Sequence, residues 1–446
     1  MAASTRNRFD IGKDAQVLAQ RPWRARIAAA LAALVIALTL SLVLAPQHAS
    51  ASIAKTDTIG TTPISEMDFD KSSAPNVTCY AGILTTQSGK VLWSRLPDEK
   101  LAMASLTKIM TAMVVLDKGN LNDSITVSKN AAKTDGSTAE LRSGDVLTTE
   151  QLLYCMMLPS GNDAAVALAE HYGGSTDGFV KMMNEKAKEL GMDSTSFSSP
   201  TGLTDKGNYT TCNDYIKLVM YAMKNDTFRK VVATKSFTYK STSRGYDIKL
   251  KNTNELLTRY EGMIGVKTGF TDKAGYCFVG AAEDSGIELY TVLLYCKSEE
   301  QRFNDCITLL NWGFKHYHNI TLLDAETVVG EAVDTDYLDV TVPIVPAESV
   351  SIVGFDYDPD LTLTITVDNL HSAIEAGDKA GSIVWSRGGE DLATVDLVTA
   401  NSQPAPSMFE MVQIGWTRFT SLFTWDFISV DQVINLETTQ PMLPKG

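Results

Sequence analysis

Three short stretches carry side chains suited to acyl chemistry. In "ASLTK", Ser105 stands three residues before Lys108, at the start of an apolar run that continues to Leu116. On a helix these positions share one face, with Cβ atoms about 5–6 Å apart, so the amine can take the hydroxyl proton. A lysine acts as a base only when neutral, which burial or a second nearby cation favours. The spacing alone is weak, because Ser52 and Lys55 repeat it in a polar stretch. "LPSGNDAA" adds Ser160, Gly161 and Asn162 in the break between two helix patterns. "GVKTGFTDKAGYCFVG" adds Lys267, Thr268 and Gly269 at the start of a strand pattern. Singly, the second is a turn and the third a loop. In this order, each on a suitable element, the three form a strong signature of a serine nucleophile with a lysine base.

The elements that must position them follow from periodicity. "TCYAGILTT" and "KVLWSRL", joined at Ser88-Gly89, read as a β-hairpin. Apolar residues recur at helix spacing in Leu106–Leu116, Thr149–Leu158, Ala164–His171 and Gly178–Leu190. "GYCFVGAAEDSGIELYTVLLYC" gives two strands with a turn at Ser285-Gly286, and "SEEQRFNDCITLLNWGFKHY" returns to helix. Sequence-distant strands must then share one sheet covered by helices. Beyond residue 321, short β runs ("LDVTVPIV", "LTLTITV", "GSIVWSR", "ATVDLV") indicate a small all-β domain. The fold class expected is α+β, an antiparallel sheet flanked by helices and followed by that β-domain.

The chain resembles the low-molecular-weight penicillin-binding proteins, the D-alanyl-D-alanine carboxypeptidases of bacterial wall metabolism. The resemblance runs from Cys79 to Ala400 and includes "MNEKAKELGM", "NTNELL" and "TDKAGYC" besides the three motifs. Met103 stands where proline is usual and Asn213 where a basic residue is frequent, departures that bear on fine selectivity. The resemblance implies a β-lactamase/DD-peptidase-like catalytic domain acting on peptidoglycan stem pentapeptides and acylated by β-lactams. It casts Ser105 as nucleophile, Lys108 as base, and Ser160, alone or with Lys267, as proton relay to the departing D-alanine. Asn162 is cast to hold the peptide amide and position Lys108, while Lys267 and Thr268 grip the terminal carboxylate. Gly269 lets the strand approach closely, and the N–H groups of Ser105 and Phe270 form the oxyanion hole. The resemblance also implies neighbouring first and last strands, from which a Cys79–Cys296 disulfide is expected.

Two alternatives stay open, a D,D-endopeptidase cutting cross-links and an inactive wall-binding protein. A class A β-lactamase is disfavoured, since no E-x-x-L-N loop lies between Asn162 and Lys267. No cofactor or metal is expected. His316 and His318 read as a surface pair at a helix end, and Asp356, Asp358 and Asp360 as a solvated strand edge without the calcium-loop glycine and glutamate.

Composition and termini set the surroundings. The formal charge of -14 on 446 residues excludes nucleic acid as a partner. Residues 323–400 hold sixteen Asp and Glu against Lys379 and Arg387, marking a separate solvated module. Basic residues up to Arg26 precede the apolar run Ile27–Ala45 and the small-x-small Ala49-Ser50-Ala51, a signal peptide over residues 1–51. Cleavage or retention as an anchor both place the remainder at the outer face of the cytoplasmic membrane or in the wall. A flexible lead-in is expected over 52–74, the catalytic domain over 75–320 and the acidic β-domain over 321–400. Residues 401–446 read as a linker and an amphipathic helix for the membrane interface. There Met408, Val412, Trp416, Phe419, Phe423, Phe427 and Val430 recur at steps of three or four.

Overall fold

A seven-stranded antiparallel sheet brings residues from both ends of the catalytic region side by side. In the computed structural model the described residues are 56–68, 71–203, 206–371, 373–424 and 433–434. The expected signal peptide lies outside them, as do residues 52–55, Phe427 and Val430. Sheet order is Thr62–Pro63, Asp57–Ile59, Val91–Arg95, Ala81–Thr86, Ile287–Cys296, Gly275–Asp284 and Met263–Thr271. Both expected hairpins form. The first turns at Gly89, with φ +90°, and the second at Ser285 and Gly286, with φ +52° and +81°. The second turn requires the left-handed conformation that Gly adopts without strain.

The central strands are buried on both faces, as strands covered twice must be. Ile83 faces a helical cluster built on Ile109, Met113, Leu152 and Leu168. Leu84, the next residue, faces Phe303, Leu309 and Leu310 from the helix Glu299–His316. The period of two in the strand thus feeds two cores.

Residues 57–68 and 71–74 are not a loose lead-in. Asp57–Ile59 pairs with Val91–Arg95, and Asp57 accepts two bonds from Arg95, each 2.7 Å, with both side chains buried. Three residues are too short to show a strand period, and the partner that fixes them lies 38 positions on.

The β-domain has one two-stranded sheet, Tyr317–Leu323 with Val350–Phe355, and a six-stranded sheet. The first of these strands straddles the boundary expected at 320–321. Its own core holds Val329, Ile344, Ile383, Trp385 and Leu397. Two surface expectations change at the domain junction. His316 is buried, with Nδ1 2.8 Å from Asp356 Oδ2, and Trp312 stacks near Phe355 and Tyr357. Asp358 pairs with both Lys90 and Arg387. The helix end and the acidic run are each other's cover.

Cys296 ends one strand and Cys79 lies two residues before the start of its neighbour, where Leu294 pairs with Ala81, yet both are free thiols like the other four cysteines. Burial pushes both thiols well up, which leaves them protonated and inert. The expected disulfide is absent.

The helix Met408–Thr424 follows the β-domain. It touches the domain through Ile414, which is buried, and through Arg418, which donates to the Thr335 and Tyr337 carbonyls. Met408, Val412, Trp416 and Phe419 stay exposed.

Candidate active site

Ser105 lies on a 3-10 turn, Ala104–Thr107, that leads directly into the helix Lys108–Lys118. The turn is held tightly from below. Gly202 has φ +79°, and a side chain there would meet the Ala104 carbonyl oxygen at 1.9 Å. Tyr215 donates from its hydroxyl to the Leu106 carbonyl. The three-residue spacing survives the change from α to 3-10 geometry, because i and i+3 face the same way in both.

Lys108 is fully buried and its Nζ has three hydrogen-bond partners. Nζ lies 2.9 Å from Ser105 Oγ, 2.7 Å from Asn162 Oδ1 and 2.8 Å from the Thr201 carbonyl oxygen. Burial, and then repulsion from Lys267, holds the ammonium well below its usual range, with Asp163 opposing. The neutral amine is thereby favoured beside the hydroxyl it can deprotonate.

Asn162 opens the helix Asn162–Gly173, and its Nδ2 donates to the Asp135 carbonyl at 2.7 Å. That bond fixes the amide so that Oδ1 faces Lys108. Asp163, next in sequence, accepts from the N–H groups of Ala139 and Leu141, both at 2.9 Å, and so ties the 135–141 loop to the same helix start. Ser160 sits at φ +65°, and its buried Oγ has no partner among the described residues. A strained backbone and an unpaired hydroxyl are costly features that cluster at working sites.

The strand Met263–Thr271 closes the other side. A methyl group at Gly269 would sit 3.2 Å from Ser105 N and 3.1 Å from the Met103 carbonyl oxygen, so glycine lets strand and turn meet. Thr268 Oγ1 is 2.7 Å from Thr253 Oγ1. Lys267 is buried, with Nζ 3.0 Å from the Thr268 carbonyl oxygen. Burial first, and Arg302 second, lower it to about 7. Arg302 reaches the strand from the helix behind, its Nη1 3.3 Å from the Gly269 carbonyl oxygen. Phe270 is half-exposed at the rim and packs on Tyr276 with centroids 4.4 Å apart.

Ser105, Lys108 and Asn162 therefore meet directly, while Ser160 and the Lys267–Phe270 stretch frame the same turn. Sequence reasoning missed Thr201, Asp163, Thr253 and Arg302. Only Asp163 carried a signal, as an acid at a helix start.

A lysine bonded to a serine hydroxyl between an antiparallel sheet and a helical layer defines a serine-type acyl enzyme. The family model for D-alanyl-D-alanine carboxypeptidase matches residues 69–298, and that for the penicillin-binding protein 5 C-terminal domain matches residues 317–405. The chain is 32% identical over 349 residues to D-alanyl-D-alanine carboxypeptidase DacF of Bacillus subtilis, covering 76% of this chain and 87% of that one. A crystal structure of a Streptomyces DD-transpeptidase superposes with a TM-score of 0.52 at 40% identity, over 54% of this chain and 98% of that chain. The carboxypeptidase DacD of Francisella tularensis superposes with a TM-score of 0.56 at 26% identity, over 76% and 97%. The chain belongs to the D-alanyl-D-alanine carboxypeptidase family, among the low-molecular-weight penicillin-binding proteins.

Proposed function

We propose that this protein removes the terminal D-alanine from peptidoglycan stem pentapeptides through an acyl-enzyme on Ser105. The observation that carries the reading is the contact of 2.9 Å between Ser105 Oγ and a fully buried Lys108 whose ammonium form is disfavoured. Lys108 Nζ takes the hydroxyl proton as Oγ attacks the carbonyl carbon between the two D-alanines. The oxyanion turns toward the N–H groups of Ser105 and Phe270, donors worth about 3–4 kcal/mol each in comparable enzymes. Ser160 Oγ, unpartnered among the described residues, passes the proton to the departing amine, with Lys267 beside the path. Asn162 holds both Lys108 and the substrate amide. Lys267 and Thr268 bind the terminal carboxylate, and Thr253 orients the Thr268 hydroxyl. Water then attacks the ester, and Oγ recovers its proton. β-Lactams enter the same path and stay as the ester.

The setting belongs to the same reading. The protein is exported and works at the outer face of the membrane or in the wall. The tail helix lies in the membrane interface, a role supported by the exposed aromatic stripe around Trp416. The test is incubation of the protein and of Ser105→Ala with a wall pentapeptide. Free D-alanine from the first and none from the second is expected, and no release from the wild type defeats the reading. For the tail, the full chain should float with neutral liposomes even in high salt; failure to float on any lipid removes the interface role.

A further inference from the structure

The loop 135–141 meets the active site on its inner side. The Asp135 carbonyl accepts from Asn162 Nδ2 and the Ser137 carbonyl from Asn162 N, at 2.7 and 2.8 Å. A side chain at Gly136 would stand 2.8 Å from Asn162 Nδ2, and one at Gly161 3.0 Å from Ala139 N. Asn162 therefore takes its position from this loop as well as from its own helix. Yet Asp135, Gly136, Ser137 and Thr138 are all exposed, so packing does little to hold the loop.

A two-stranded hairpin grips the outer side. Ser236–Lys240 and Asp247–Lys251 pair antiparallel, and Phe237 stacks on Tyr154 with centroids 3.9 Å apart. Tyr154 belongs to the helix Thr149–Met157, so the hairpin stands on a fixed base. From the tip, Arg244 Nη2 donates to the Glu140 carbonyl, and its Nη1 lies 3.4 Å from Glu140 Oε2. Thr242 Oγ1 accepts from Val146 N at 3.2 Å, a second tie just beyond the loop. Within the tip, Arg244 N donates to Ser241 Oγ at 3.3 Å and Gly245 N to the Ser241 carbonyl at 3.0 Å, which fixes the turn.

Two features single out the Arg244 contact. Glu140 sits at φ +57°, a strained conformation that persists only where neighbours impose it. The Arg244 side chain is 9% exposed although it springs from a hairpin tip, a degree of cover uncommon for arginine.

We propose that Arg244 is a positioning residue for acylation: it holds the loop 135–141 in place, and through that loop sets the reach of Asn162 to Lys108. This rests on the reading of Asn162 as the group that holds Lys108. Arg244 touches neither the base nor the nucleophile. Its guanidinium grips a backbone carbonyl that the left-handed turn at Glu140 presents to it. When that grip is lost, the loop relaxes and the Asp135 and Ser137 carbonyls no longer fix Asn162, so Oδ1 strays from Nζ. Lys267 and Thr268 lie on the other wall and keep their places.

The test is stopped-flow acylation of the full chain by fluorescent penicillin, resolved into a binding constant and a first-order acylation constant. Arg244→Met should lower the acylation constant about tenfold and leave binding within about twofold, because the base is misplaced and the clamp is not. Arg244→Lys keeps a donor for the carbonyl and should fall between the wild type and Arg244→Met. Glu140→Gln should match the wild type, since its carboxylate is 77% exposed and the guanidinium bonds the carbonyl. Asn162→Ala/Arg244→Met should acylate no more slowly than Asn162→Ala, as expected when one residue acts through the other. Hydrogen exchange reads the loop without any reaction. The Ala139 and Leu141 amides, bonded to Asp163, should exchange faster in Arg244→Met, while those of the strand Ile287–Cys296 keep their rates. Should Arg244→Met fail to fold, Thr242→Val breaks the second tie and should show the same pattern to a lesser degree. An unchanged acylation constant in the folded variant, a loss confined to binding, or additive losses in the double variant overturns the proposal. If Asn162→Ala itself acylates at the wild-type rate, the reading of Asn162 falls, and exchange at Ala139 and Leu141 still decides whether Arg244 holds the loop.

Discussion

Lys267→Met puts a number on the strain held at the clamp. The ammonium falls from 10.5 in the unfolded chain to about 7 in the fold, through burial and then through Arg302. At about 1.4 kcal/mol per unit, roughly 5 kcal/mol separates charging the folded and the unfolded chain. Since the folded value is the lower one, the unfolded chain holds the extra proton between pH 7 and 10.5. Stability therefore rises with pH through that window. Below it the full cost of the buried charge is present. Methionine fits the same volume without that cost, so the variant should be the more stable protein at pH 6. Its advantage should shrink by about 2 kcal/mol between pH 7 and pH 9, as the wild type sheds the proton. The burial of Lys108 is common to both proteins and cancels, while its repulsion from Lys267 is lost in the variant and adds to the variant's advantage at low pH. Urea unfolding followed by helical circular dichroism at the two pH values reads the difference. A gap that stays constant or widens with pH would refute the claim that a buried charge is strained here. The same variant should lose most of its preference for a free over an amidated substrate carboxylate.

Ser105→Ala should abolish labelling by fluorescent penicillin while the melting temperature holds; an adduct on Ser160 would contradict the assignment. Asn162→Ala removes both the acceptor for Lys108 and the tie to Asp135, and should slow penicillin acylation about 30- to 100-fold in stopped-flow traces. In the pH profile, kcat/KM should descend above about pH 7 as Lys267 loses its proton. The limb in kcat should lie higher, because a bound carboxylate retains that proton; coincident limbs would place the titration elsewhere. Arg95→Met strands the buried carboxylate of Asp57 and should cost about 3–5 kcal/mol in the urea transition, with a loss under 1 kcal/mol counting against the buried pair.

What could be read in the sequence was what is local. Ser105, Ser160 and Lys267 each stand at a change of periodicity, so their elements could be assigned from a dozen neighbours. The two hairpins were legible because Ser88-Gly89 and Ser285-Gly286 break alternating runs. The illegible parts depend on distant partners. Thr201 contributes only a carbonyl, which any residue could supply, and Thr253 matters because of a strand fifteen positions on. Arg302 belongs to an ordinary amphipathic helix, and nothing local shows that its guanidinium lies beneath the clamp strand. His316 looked exposed because its cover, Asp356 and Tyr357, comes from the next domain.

The pairing of Ala81–Thr86 with Ile287–Cys296 has a consequence for biogenesis. The first hairpin is synthesised early, yet its inner edge has no neighbour until a strand more than two hundred residues later emerges. Until then the edge of a mostly apolar strand, Ala81–Thr86, is open to any passing chain. Ribosome-bound fragments ending before residue 287 should therefore be protease-sensitive and prone to clump. Completion of that late strand, rather than of any helix, marks the moment when the catalytic region becomes safe from its own surface.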